Sequence, residues 1–129
     1  AGEDYILPLP STQYSPDTKR YLIYRDVLLQ DKEMTATVSG KRMYVYGGLL
    51  TENWTQATAR DVLASAWRRC ADAGYVPVLS VHDELVFDLK ESTAEKDLKT
   101  ITSIMEEPLP WAPHLPLKVD GKLMNHYTK

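Results

Sequence analysis

No apolar run in this sequence approaches the ~18 residues that a membrane-spanning helix requires, so it reads as a chain that folds in water. Cysteine is almost missing: Cys70 stands alone, which excludes an internal disulfide and fits a reducing compartment. No signal-peptide pattern opens the sequence, and the expected location is cytoplasmic. An excess of positive charge is missing too. Fifteen Lys and Arg stand against 18 Asp and Glu, for a formal charge of −3. Bulk affinity for nucleic acid grows with the number of phosphates neutralised, and no basic stripe supplies that number. The first fifty residues carry six basic and six acidic side chains, so no basic arm opens the chain. If this protein meets DNA, much of the grip comes from elsewhere. Internal repeats are absent as well.

What remains is ordinary: 129 residues, 43% hydrophobic and 26% charged, enough for a single core. Residues 1–18, with Leu7-Pro8-Leu9-Pro10 and Ser15-Pro16-Asp17, read as a loop or extended lead-in to a domain over 19–129. Tyr21 to Tyr24 is expected to be a strand. Met34–Val38 and Met43–Tyr46 flank Ser39-Gly40-Lys41, a hairpin signal in which Gly40 supplies positive φ. Gly47-Gly48 should end the sheet pattern. Ala59, Val62, Leu63, Ala66, Trp67 and Cys70 then share one helical face, with Thr51 or Asn53 as the N-cap and Gly74 as the stop. Ser92-Thr93-Ala94-Glu95 has the form of a capping box for a second helix, with Ala94, Leu98, Ile101 and Met105 on one face and Pro108 at its end. Leu117-Lys118-Val119 is expected to be a last strand. This order predicts an α+β domain with helices packed on a mostly antiparallel sheet.

The stretch with chemistry in it is Ser80-Val81-His82-Asp83-Glu84-Leu85-Val86-Phe87, a polar triplet between two apolar runs. It predicts a tight hairpin with buried strands and its acids at the tip. Two adjacent carboxylates repel one another, which favours a hard divalent cation such as magnesium. A merely solvated tip has the same residue pattern. A metal phosphohydrolase built on His82-Asp83 would need more histidines, and only His114 and His126 remain. Cys70 and these histidines give no zinc spacing. A non-catalytic α+β module that binds DNA or protein also fits the composition.

Val81-His82-Asp83-Glu84-Leu85-Val86-Phe87 resembles motif C of family A DNA polymerases, the group of bacterial DNA polymerase I and many phage replicases. Glu52-Asn53-Trp54-Thr55-Gln56-Ala57-Thr58-Ala59-Arg60-Asp61-Val62-Leu63 resembles the helix that precedes that motif in the family. Tyr46-Gly47-Gly48 and the tail from Trp111-Ala112-Pro113 to Leu115-Pro116-Leu117 are similar to the phage and prophage branch. The likeness is closest from Tyr46 to Asp88 and looser from Leu89 to Lys129.

This resemblance implies the C-terminal part of a palm subdomain, working on primer–template DNA and a deoxynucleoside triphosphate with two magnesium ions. Asp83 would be a metal ligand and Glu84 an auxiliary acid, outer-shell or occasional ligand. His82 would sit beside the primer terminus, and Gln56 would reach the minor groove near the terminal pair. Minor-groove acceptors occur on every base pair, so a glutamine amide there senses pairing shape rather than sequence. Gln56 could instead complete a cap with Asn53. An arginine and an asparagine of the family's helix align with Gly48 and Glu52, and Asn53 falls one place later as a substitute DNA contact. Arg60, Arg68 and Arg69 read as solvated charges. The family's first carboxylate motif and its fingers helix are missing; Asp4-Tyr5 continues as Ile6-Leu7-Pro8 and does not replace the former. Two-metal transfer needs carboxylates from both motifs, so the remainder of a polymerase is an implied partner.

Overall fold

A computed structural model describes residues 2–14 and 19–128 and has the expected α+β class. The chain divides into two compact units, Ala1–Ala59 and Arg60–Lys129. The first holds a four-stranded antiparallel sheet in the order β1 (Glu3–Pro8), β2 (Tyr21–Gln30), β3 (Glu33–Val38), β4 (Lys41–Val45). A short helix α1 (Pro10–Tyr14) joins β1 to β2, and a long helix α2 (Gly47–Asp72) begins in this unit. The second unit has a separate two-stranded ribbon, β5 (Leu79–Val81) and β6 (Glu84–Val86). One 3₁₀ turn (Glu91–Thr93) then leads into helix α3 (Ala94–Met105).

The lead-in is more structured than its composition implies. Glu3–Pro8 is an edge strand against β2, and Leu9 behind it is buried. Proline is tolerated at a sheet edge because its missing N–H costs no ladder bond, and Pro8 closes β1 opposite Tyr21. Trp54 donates its indole N–H to the Pro8 carbonyl at 3.2 Å, which ties this strand to α2. Ser15-Pro16-Asp17 lies outside the described residues.

Strand β2 is longer than its Tyr21–Tyr24 signal because its apolar alternation breaks at a bulge. Leu22 and Tyr24 face the core, and the next inward residue is Val27. Asp26 takes up the extra position with φ of 50°, where the β2–β3 register shifts. A bulge residue in the left-handed region leaves backbone groups to be satisfied by side chains. Asp4 Oδ1 accepts the Asp26 N–H at 2.9 Å, and Arg42 donates to the Asp26 carbonyl at 3.0 Å. Arg25 pairs with Asp4 at 2.7 Å, and Arg42 pairs with the Asp26 carboxylate. Tyr24, Val27, Ala36 and Val45 form the core of this unit, with Leu22, Met34 and Leu50 packed against it.

Both remaining turns of the sheet have two residues with positive φ, the type I′ form that suits strand twist. Ser39 and Gly40 stand at 51° and 79°, as expected for the hairpin. Asp31 and Lys32, at 51° and 66°, do the same without a glycine. That second hairpin carries no sequence signal.

Helix α2 begins at Gly47, upstream of both expected caps. Leu50 N–H donates to the Tyr46 carbonyl, and Leu50 packs on the sheet cluster. Glycine in a helix costs roughly 1 kcal/mol, and tertiary packing of the first turn outweighs it. Thr51 bonds back to the Gly47 carbonyl, and Asn53 donates to the Tyr24 hydroxyl, so neither caps the helix. Its C-terminal half buries Leu63, Ala66 and Cys70, as the pattern requires, while Ala59 is exposed. Gly74, at φ of 94°, ends it: its N–H meets the Ala71 carbonyl, and Tyr75 N–H meets Cys70. That pair of bonds is a Schellman cap.

Within the second unit, α3 shows its expected face: Ile101 is buried, with Ala94, Leu98 and Met105 half-buried. The capping box does not form. Thr93 has no cap bond and donates instead to Asp97 Oδ2 at 2.8 Å, because a 3₁₀ turn precedes the helix. Arg69 is not a solvated charge either. It donates to the Ile104 carbonyl at 3.3 and 3.4 Å, to Ser65 Oγ at 2.6 Å, and pairs with Glu107. The Ile104 carbonyl, in the last turn of α3, also accepts the Glu107 N–H at 3.3 Å, and the half-buried guanidinium supplements the bonding at this helix end. Leu117–Val119 forms no strand, since Val119 N–H is taken by the Glu106 carboxylate rather than by a ladder.

Two outcomes follow from these clamps. The Asp4 carboxyl is held below the usual aspartate range by the Asp26 N–H and then by Arg25. Asp26 is held down by the Gly2 N–H, with Arg42 adding to the effect. A folded-state value lowered in this way gives stability above the unfolded value, lost as pH falls through the folded one. The protection of β1 amides against exchange, relative to the intrinsic rate at each pH, should therefore fall in acid, and Asp26→Asn should reproduce that loosening at about pH 6 but add little at about pH 2. In the second unit, Arg69→Met should cost about 1.5–3 kcal/mol in urea unfolding, the range for a hydrogen bond with a charged partner.

Candidate functional site

The ribbon that carries the triplet is short. Leu79 pairs with Val86, Ser80 with Leu85 and Val81 with Glu84, which leaves His82 and Asp83 as a two-residue turn. His82 stands at φ of 52°, a left-handed position that a histidine adopts more readily than β-branched residues do. His82, Asp83 and Glu84 are all exposed, as the polar triplet predicts. The flanking strands are less covered than expected. Val78 is 62% and Leu79 39% exposed, while Val81, Leu85, Val86 and Phe87 are only half-buried. Strands of three residues leave one face of a two-stranded ribbon without a packing layer.

Other parts of the second unit hold the ribbon from both strands. Arg60 of α2 donates to Ser80 Oγ at 3.3 Å, so this arginine serves the hairpin. Arg68 is exposed. On the other strand, the Tyr127 hydroxyl donates to Glu84 Oε2 at 3.3 Å. Partial burial, and then the Glu84 charge, push the Tyr127 phenol above its usual value. Nothing in the sequence signals this contact, because 43 residues separate its partners. The Arg60 contact is not signalled either: the sequence reads this arginine as a solvated charge, and the structure places it on Ser80.

In the first unit, Gln56 is exposed on α2 and donates to Glu52 Oε1 at 3.3 Å, one turn back. It completes no cap with Asn53, because both lie inside the helix. Asn53 is half-buried, with its amide on the Tyr24 hydroxyl.

Asp83 and Glu84 present oxygen donors of the kind magnesium selects. In kind they fit part of a magnesium site; in number they fall short of its six ligands. Among the described residues, no group of three or more His, Cys, Asp or Glu is placed to hold a metal. His114 and His126 are exposed and bring no such group together. No helix of the described residues is long and apolar enough to cross a membrane.

No family model and no solved structure matches this chain. A DNA polymerase of Bacillus phage SP02 is 47% identical to it over 93 residues, 70% of this chain. A continuous stretch of that length within 129 residues necessarily includes the β5–β6 hairpin. The match spans 14% of that polymerase. Over most of its length, this chain is similar to one segment of a phage DNA polymerase.

Proposed function

We propose that this chain is the C-terminal part of a family A DNA polymerase palm, with its motif C at Val81–Glu84, acting in template-dependent nucleotide addition during DNA replication. The observation that carries this reading is an exposed Asp83-Glu84 pair inside a stretch similar to a phage polymerase. In this reading residues 19–129 are the palm segment, and the remainder of the polymerase brings the first carboxylate motif and the fingers. Asp83 contributes one ligand to magnesium, whose charge neutralises the phosphates of the incoming nucleotide. Glu84 stands next to it as the auxiliary acid. His82 has an imidazole at the turn, able to donate to a phosphate or sugar oxygen at the primer terminus. Gln56 is exposed on α2 and free to turn from Glu52 toward minor-groove acceptors.

Asn53 supports a DNA contact less directly, since its amide already serves Tyr24. The partners in this reading are primer–template DNA, a deoxynucleoside triphosphate and the rest of the enzyme. A chain with net charge −3 cannot rely on its own field to hold DNA.

Nucleotide incorporation by a polymerase that carries this segment separates this reading from a DNA-binding remnant. The pure chain, with magnesium or manganese and four nucleotides, should extend no primer, because its donor set is incomplete. Template-dependent extension by the pure chain would overturn the assignment of half a site. In a polymerase that carries this segment, Asp83→Ala should lower single-turnover incorporation on the order of thousands-fold, the scale of a metal ligand. Gln56→Ala should leave chemistry competent and weaken primer-terminus binding by about tenfold at most, the scale of one neutral hydrogen bond. A smaller loss for Asp83→Ala than for Gln56→Ala, with both variants folded, would reduce the triplet to a solvated turn.

A further inference from the structure

The tail over 117–128 has no regular secondary structure, yet it is fixed at three points. Val119 N–H donates to Glu106 Oε1 at 2.8 Å. Gly121 passes so close to α3 that a Cβ there would lie 2.8 Å from Leu98 Cδ1 and 3.3 Å from Thr102 Oγ1. A larger residue at 121 would have to displace the Leu98 side chain. Tyr127 then reaches Glu84 on the hairpin. An ionised carboxylate only accepts hydrogen bonds, and a phenol has one proton to donate. One Glu84 oxygen is thus engaged by the tail, whereas no such contact holds Asp83 among the described residues.

We propose that Tyr127 is a positioning residue for Glu84. Its hydroxyl, delivered by the anchored tail, holds the Glu84 carboxylate back and leaves Asp83 as the carboxylate free to take a cation. This rests on the reading of the hairpin tip as part of a magnesium site. Adjacent acids would otherwise compete for the same ion, and the phenol makes them unequal.

The test uses the chain itself, labelled with nitrogen-15 and titrated with Mn²⁺, which broadens the amide signals nearest to where it binds. Tyr127→Phe removes only the hydroxyl and should bring selective broadening at residues 82–84 to roughly threefold lower Mn²⁺, since one exposed hydrogen bond is released. Gly121→Val, whose branched side chain crowds Leu98 and Thr102 where the tail crosses α3, should do the same. Adding Glu84→Gln to Tyr127→Phe should return the broadening to the wild-type concentration or above. If wild type shows selective broadening and both tail variants match it, the role of Tyr127 is overturned while the magnesium reading stands. If no variant shows selective broadening at the tip, the role of Tyr127 is overturned, while the magnesium reading, which takes its other ligands from the remainder of the polymerase, is decided by the Asp83→Ala incorporation measurement.

Discussion

A ribbon of two three-residue strands cannot hold its own shape in water, because it buries too little and pairs too little backbone. Everything the second unit offers at His82-Asp83-Glu84 depends on that limit. The turn is held where it is by Arg60 on one strand and Tyr127 on the other. Those anchors are themselves positioned by α2 and by a tail that follows α3. The acids are therefore exposed on a turn that is bonded from both strands.

The same logic applies to the sheet of the first unit. A bulge lets β2 turn Val27 inward, at the cost of an aspartate in the left-handed region. Asp4, Arg25 and Arg42 satisfy the groups that the bulge exposes. These are surface contacts, each modest alone, and they work as a network around one irregular residue.

Much of this was legible in the sequence wherever a local rule was strong. Gly40 and Gly74 stand at positive φ as their turns demand, and the face of Leu63, Ala66 and Cys70 is buried. The polar triplet at a tight turn was legible too, since apolar runs on both sides leave it no other place. Legibility failed where tertiary contacts overrode local preference. Leu50 on the sheet starts α2 at two glycines, and an edge position makes a strand of a Pro-ended segment. Thr93 spends its hydroxyl on Asp97 rather than on a cap. Asp31-Lys32 turns without glycine, and Tyr127 finds Glu84 across a distance that no spacing rule covers. Asp83 as a ligand, and Gln56 as a primer contact, rest on family likeness more than on any pattern in the residues.

Cys70 gives the second unit a built-in reporter. It is fully buried, and desolvation raises its thiol above the usual range, with Glu107 adding to that effect and Arg69 opposing it. Thiolate is the reactive form, so a folded chain presents no usable nucleophile to an alkylating reagent. Any labelling must pass through an opening that frees the end of α2 from its surroundings. As this is the chain's one cysteine, the rate of modification measures how often that part of the molecule comes apart, with no engineered probe.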